Sequence, residues 1–142
     1  MKSVPAPALW LGLAGLAPFA FGALAAFGLM PGVSNPFTGL LVLQTYGSAI
    51  LAFMGGCLWG FAAQAGRIDW KILGASVTPG LWAFSVAFSP DAMISLIIGF
   101  IFLLILDLMF RGWGLGPRWW LALRVPLTIG VIACLVAGKI AA

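Results

Sequence analysis

The sequence predicts an all-α fold: a polytopic membrane protein, a compact bundle of five transmembrane helices with the N-terminus inside and the C-terminus outside. Three observations carry that prediction. The 142 residues are 63% hydrophobic and only 7% charged, with a mean hydropathy of +1.17, which is not the composition of a water-soluble domain. The apolar residues gather into five long stretches separated by short breaks of proline, glycine and charge. A helix needs about 20 mostly apolar residues to cross a hydrocarbon layer roughly 30 Å thick, so this length holds about five crossings and short connections. A single membrane domain over residues 1–142 is expected, with no separate soluble domain.

The first stretch runs from about Ala8 to Leu29. Lys2 ahead of it and the small residues Gly22 to Ala26 give it the outline of a signal peptide, but the segment is expected to be retained as the first helix. The second stretch, Phe37 to Gln64, follows Asn35-Pro36; the fourth, Asp91 to Phe110, follows Ser89-Pro90; the fifth, Arg118 to Ala141, follows Gly116-Pro117. In each case a capping-type residue precedes a proline whose missing N–H costs nothing in a first helical turn. The third, Trp70 to Phe88, is set off by Gly66-Arg67-Ile68-Asp69, and Arg111-Gly112-Trp113-Gly114 closes the fourth. Short connections make neighbouring helices antiparallel. Pro18, Pro79 and Pro126 fall inside the first, third and fifth stretches, where each frees a carbonyl one turn earlier, on Ala14, Ala75 and Ala122. In lipid those carbonyls need partners, so each proline marks either a packing bend or a hinge with a polar seam.

Orientation follows from the basic residues, because Lys and Arg in short loops are retained in the cytoplasm. Lys2, Arg67, Lys71, Arg111, Arg118 and Arg124 fall on the N-terminal side of a five-span chain, and only Lys139 falls on the other. Trp10, Trp59, Trp70, Trp113, Trp119 and Trp120 gather near the same boundary, as an aromatic belt does, while Trp82 lies within a span. The expected location is the bacterial cytoplasmic (inner) membrane. The net charge of +4 is therefore read as loop chemistry, not as a nucleic-acid surface. Membrane lipids, a homo-oligomer or a larger membrane complex are the expected partners.

Four constellations stand out. Ser48, Ala52, Gly56 and Gly60 repeat at four-residue spacing with Gly55 beside them, and Gly130, Cys134 and Gly138 repeat the pattern in the last stretch. Such rows let helices approach closely in lipid, where hydrophobic drive is weak; they serve packing within the chain or a homodimer face. Asp107 and Arg124 each lie one to two turns inside the inner boundary, at similar depth. A carboxylate and a guanidinium at one level are expected to pair, as a clasp or as a proton, ion or headgroup site, with Arg111 the competing partner four residues along from Asp107. Gln44, Thr45, Tyr46 and Ser48 are candidates for a small polar pocket or for interhelical hydrogen bonds. Arg111, Trp113, Arg118, Trp119 and Trp120 are candidates for lipid headgroup contacts. The glycines from Gly112 to Gly116 follow a membrane helix and lack a Lys-Ser/Thr ending, so they are not a phosphate loop.

The sequence has no histidine and no glutamate, which removes histidine-ligated haem, Ser-His-Asp triads and glutamate proton relays from consideration. Asp69, Asp91 and Asp107 are its only carboxylates; Asp91 suits a first helical turn and Asp69 a loop between Arg67 and Lys71. Cys57 and Cys134 lie in apolar stretches and read as packing residues. No metal and no cofactor are expected.

With these residues in view the chain resembles the transmembrane protein 69-like family of small bacterial and mitochondrial membrane proteins. The resemblance spans most of the chain. It rests on Gly15-Leu16-Ala17-Pro18-Phe19, on the run Tyr46-Gly47-Ser48-Ala49-Ile50-Leu51-Ala52-Phe53-Met54-Gly55-Gly56 with Trp59-Gly60, on Pro79 with Trp82, on Asp107, and on Trp119, Leu123-Arg124 and Leu127-Thr128. It implies the membrane fold and no established activity. Family members carry a histidine just before the tryptophan matched by Trp59, where this chain has Leu58, so a proton or metal role at that position is not expected here. The functional expectation is a non-catalytic accessory or scaffold component. The alternatives are a small transporter working as an oligomer, with Gln44, Tyr46, Asp107 and Arg124 along its path, and a membrane-embedded enzyme acting on a lipid or quinone with Asp107 as base.

Overall fold

The computed structural model describes residues 3–142; Lys2, counted above for orientation, lies outside the described residues. The chain is an all-helical membrane bundle in the order α1 (Ala6–Ala14), α2 (Ala17–Ala26), α3 (Phe37–Gln64), α4 (Trp70–Val86), α5 (Ala92–Gly112) and α6 (Trp120–Ala141). The first apolar stretch forms one 21-residue span, Ala6–Ala26, interrupted by a turn whose residues keep right-handed helical dihedrals. It breaks at Gly15 and Leu16, just ahead of Pro18, and ends at Ala26 instead of Leu29. In α4 and α6, by contrast, Pro79 and Pro126 sit inside continuous helices. The Ala75 carbonyl that Pro79 leaves without its usual donor accepts from the Thr78 hydroxyl at 2.7 Å.

Helix ends differ from the sequence expectation because side-chain caps and glycines, more than prolines, set them. Asp69 and Asp91 are N-caps: Asp69 Oδ1 accepts from Ile72 N at 2.8 Å, and Asp91 Oδ1 from Ile94 N at 3.2 Å. Asp69 thus opens α4 instead of lying idle in a loop, and Asp91 precedes α5 instead of filling its first turn. Asn35 does act at the start of α3, where its Oδ1 accepts from Phe37 N. Pro117 stands three residues before α6, whose first turn is entered from Trp119. At the C-terminal ends, Gly28, Gly66 and Gly114 adopt positive φ, and the following residue's N–H reaches back to Leu24, Ala62 and Phe110. This is the Schellman arrangement, which satisfies terminal carbonyls and needs glycine at the left-handed position.

At the centre lies α3, which touches α2, α4, α5 and α6. Its buried row is Gly39, Leu43, Gly47, Leu51 and Gly55, continued by Leu58 and Ala62. Every fourth residue faces inward, and the glycines alternate with leucines so that each glycine admits a neighbour. A methyl group on Gly39 would collide with the α2 backbone at Gly22 and Ala26. One on Gly47 would stand 3.0 Å from Leu96 of α5, and one on Gly55 would stand 2.9 Å from the Ser76 carbonyl of α4. Phe19, Leu96, Phe100, Leu103 and Leu135 fill the space around this row.

The outer surface is apolar, with Leu11, Phe53, Leu81, Phe84 and Ile129 among the side chains left exposed. Such a surface is stable in lipid and not in water. Ala6–Ala26, Phe37–Gln64, Ala92–Gly112 and Trp120–Ala141 are each long and apolar enough to cross a membrane. With 17 residues, α4 is shorter and rises about 25 Å. The α3–α4 and α5–α6 connections meet at one end of the bundle, where Arg67 Nη1 donates to the Trp113 carbonyl at 3.1 Å and Lys71 Nζ lies 5.0 Å from the Trp113 ring centroid. At the opposite end Lys139 pairs with Asp91, joining the last turn of α6 to the start of α5.

Candidate functional site

Asp107 on α5 and Arg124 on α6 meet inside the bundle near the cation-rich end. Each is about one turn from its helix terminus, roughly 6–8 Å deep along the axis at 1.5 Å per residue. Arg124 Nε donates to Asp107 Oδ2 at 3.1 Å, with both side chains almost fully buried, 4% and 1% exposed. The second carboxylate oxygen accepts from Trp120 Nε1 at 2.9 Å. Trp120 and Arg124 are one turn apart on α6, so one face of that helix presents both donors to one carboxylate. Phe61 of α3 packs edge-on against Trp120, with centroids 4.8 Å apart, which fixes the indole from the far side. Arg111, the rival partner, turns away and donates to the Arg118 carbonyl at 3.3 Å.

The pair is not fully satisfied. Arg124 Nη2 and Thr128 Oγ1 are buried without a hydrogen-bond partner, and they belong to residues one turn apart on α6. Arg124 also forms part of the wall of a cavity of about 350 Å³ bounded by α1, α2, α3 and α6. Gly12, Tyr46, Phe53, Cys57, Trp119 and Leu127 line it as well, so the wall is nearly all apolar or aromatic. The break in the first stretch borders this space, and there the Gly15 carbonyl accepts from the Tyr46 hydroxyl at 3.1 Å, a bond from α3 that secures the break.

The four polar residues of α3 do not share a pocket, because consecutive helical positions point about 100° apart. Tyr46 faces the Arg124 cavity, whereas Gln44 lines a separate groove with Asp91 and Lys139 at the other end. Thr45 is exposed and Ser48 half-buried. The small-residue row also divides. Gly55 packs against Pro79 and Ser76, Gly130 against Leu16, and Gly138 against Leu43, while Gly56 and Gly60 meet nothing and Ala52 is exposed. Among the headgroup candidates, Arg111 and Arg118 are exposed, Trp113 and Trp119 half-buried, and Trp120 is committed to Asp107. Trp82, within a span, donates to the Ser95 carbonyl at 2.7 Å and ties α4 to α5. Both cysteines are half-buried free thiols, and no cluster of three metal-ligating side chains occurs among the described residues.

A family model described as a protein of unknown function (DUF3429) matches residues 4–140. Transmembrane protein 69 of Xenopus tropicalis is 35% identical over 148 aligned residues, covering 99% of this chain and 56% of the frog protein. Transmembrane protein 69 of Mus musculus is 32% identical over 134, covering 88% of this chain and 52% of the mouse protein. The chain thus spans about half the length of these curated relatives. No solved structure matches it.

Proposed function

The chain belongs to the transmembrane protein 69-like family of membrane proteins of unknown function, and on that footing we propose that it is a non-catalytic accessory component that packs against another transmembrane helix through a glycine-lined face of α3 and α4. One observation carries the reading. Gly56 of α3 and Gly74 and Gly80 of α4 have open space where a side chain would stand, along two adjoining grooves of about 420 and 480 Å³ that share Trp59 and Val77. Each glycine inside a helix costs about 0.5–1 kcal/mol relative to alanine. Gly39, Gly47 and Gly55 offset that cost by admitting neighbours within the chain; these three do not. A helix from a second copy or a larger complex, seated in the groove, would use them.

Other features support a role without chemistry. Both oxygens of Asp107 are occupied by fixed donors, so it is poorly placed as a base. Tyr46 and Arg124 share a cavity that neither Gln44 nor Asp107 lines, which gives the transport alternative no continuous polar path. The exposed apolar face of α4, with Leu81 and Phe84, supports a fifth crossing despite its length. The cations at one end support a cytoplasmic-side placement for that end, and the proposed location is a bacterial inner membrane. The test is purification in mild detergent followed by native mass measurement. The parent protein is expected to carry a second copy or a partner, and Gly56→Leu combined with Gly80→Leu to release it without lowering the melting temperature. A parent that runs as a clean monomer and conducts a solute in vesicles would overturn the reading.

A further inference from the structure

The cavity beside Arg124 calls for an occupant of narrow chemistry. Its wall is apolar and aromatic, and its polar side-chain groups belong to Tyr46, Cys57, Arg124 and the indoles of Trp119 and Trp120, the last of these engaged with Asp107. The hydroxyl is already spent on the Gly15 carbonyl. The guanidinium is not: Nη2 is buried and has no partner, on a side chain only 4% exposed. A buried unpaired N–H of a charged group is costly, and because Nη2 has almost no exposed surface, an oxygen acceptor from outside relieves that cost by displacing the apolar wall in front of it. The charge of that acceptor is limited by Asp107. Because Arg124 is already neutralised at 3.1 Å, an anion would add an uncompensated negative charge to a low-dielectric interior. A neutral carbonyl would not.

Access comes from the side. Leu11 and Phe53, at the cavity wall, are 74% and 61% exposed on the lipid-facing surface. A hydrocarbon tail leaving past them would stay in the bilayer while its polar end reached inward. A volume of about 350 Å³ holds a single headgroup and a short length of tail, not a whole two-chain lipid. We propose that this cavity is a binding site for the carbonyl-bearing end of a neutral membrane lipid, held by a hydrogen bond to Arg124 Nη2 with its chain running out between α1 and α3. The carbonyl can come from a quinone ring or from a glyceride ester, which offer the same acceptor on different bodies. The site is independent of the glycine groove, which lies between α3 and α4.

The test uses the purified, delipidated full chain in detergent, incubated with decylubiquinone, with dioleoylglycerol or with oleate. Retained ligand is quantified per protein by mass spectrometry after gel filtration. One of the neutral probes is expected to be retained near one per chain, and which one identifies the source of the carbonyl; oleate is expected to be retained least. Arg124→Lys keeps a cation for Asp107 but removes the second nitrogen, and is expected to weaken retention about tenfold, the worth of one hydrogen bond. Leu11→Trp alters a residue already facing lipid, and is expected to obstruct the mouth and abolish retention with the melting temperature unchanged. Retention of neither neutral probe, preference for oleate, or neutral binding indifferent to Leu11→Trp would each overturn the proposal.

Discussion

Replacing Asp107 with asparagine isolates the ion pair from the rest of its setting. Asparagine keeps an oxygen for the Trp120 indole, now 2.9 Å from Oδ1, while its amide or the lost charge leaves Arg124 Nε without an acceptor at the 3.1 Å contact. Breaking a buried pair by removing one partner costs about 3–5 kcal/mol, because the remaining charge is stranded. At roughly 2–4 °C per kcal/mol for a chain of this size, Asp107→Asn is expected to lower the melting temperature by about 6–20 °C. Arg124→Met strands the carboxylate instead and is expected to cost a similar amount. The double variant strands no charge, only a neutral amide N–H, and it keeps the indole bond, so it is expected to be more stable than either single by about 2–4 kcal/mol. A charge swap is a poorer rescue: Asp107→Arg would set a donor against the Trp120 N–H, and Arg124→Asp does not replace the lost acceptor there. Thermal unfolding in mild detergent, followed by circular dichroism, measures all three. If the two single losses simply add in the double variant, the residues are not coupled and the pair is not what fastens α5 to α6.

Two further substitutions separate features that look alike in sequence. Gly55→Ala would place a methyl 2.9 Å from the Ser76 carbonyl and is expected to destabilise by about 1–3 kcal/mol, whereas Gly56→Ala meets nothing and is expected to be neutral or to stabilise by up to about 1 kcal/mol in the same melting assay. At the other end, the Lys139 hydrogen bond and the cap bond to Ile94 hold the Asp91 carboxyl below its ordinary value. A depressed folded-state value contributes stability that is present above the unfolded value of about 3.9 and lost as pH falls through the folded one. Asp91→Ala is therefore expected to cost about 1 kcal/mol at pH 7, mostly as a lost cap, with the gap to the parent closing below about pH 4 in melts taken across pH.

Hydropathy located every helical stretch, since lipid demands long apolar runs and little else competes with that signal. The ends were less legible because they depend on single capping bonds: Asp91 over Ser89-Pro90, and Gly114 with Leu115 reaching back to Phe110. The inward face of α3, which holds Gly55 but not Gly56, is not legible from spacing. A four-residue repeat fits Ser48, Ala52, Gly56 and Gly60 as well as Gly39, Gly47 and Gly55, and in a helix that is apolar all round nothing local says which row faces protein. The pairing of Asp107 with Arg124 was readable from depth alone. The Trp120 bond was readable too, from its place one turn before Arg124, but tryptophan near a boundary was assigned to the headgroups. The break before Pro18 was visible only as a bend, because its anchor, Tyr46, is 31 residues away in sequence.

The geometry of Arg124 explains how one residue serves both fastening and binding. A guanidinium has five N–H donors and pairs most strongly with a carboxylate through two parallel bonds. Here the carboxylate divides its oxygens between Arg124 and Trp120, so only Nε is engaged in the ion pair. An apolar substitution would fasten two helices at least as well as a single-bonded buried pair, since removing both charges also removes their desolvation cost. What an apolar residue does not supply is a buried donor beside a lipid-accessible cavity. Turning Trp120 to phenylalanine would free Oδ1 for the second guanidinium bond. The clasp would then strengthen while Nη2 became occupied, so the variant is expected to melt no lower than the parent and to retain less neutral lipid. Stability and retention falling together would mean that the indole serves packing alone and that the unpaired nitrogen is incidental.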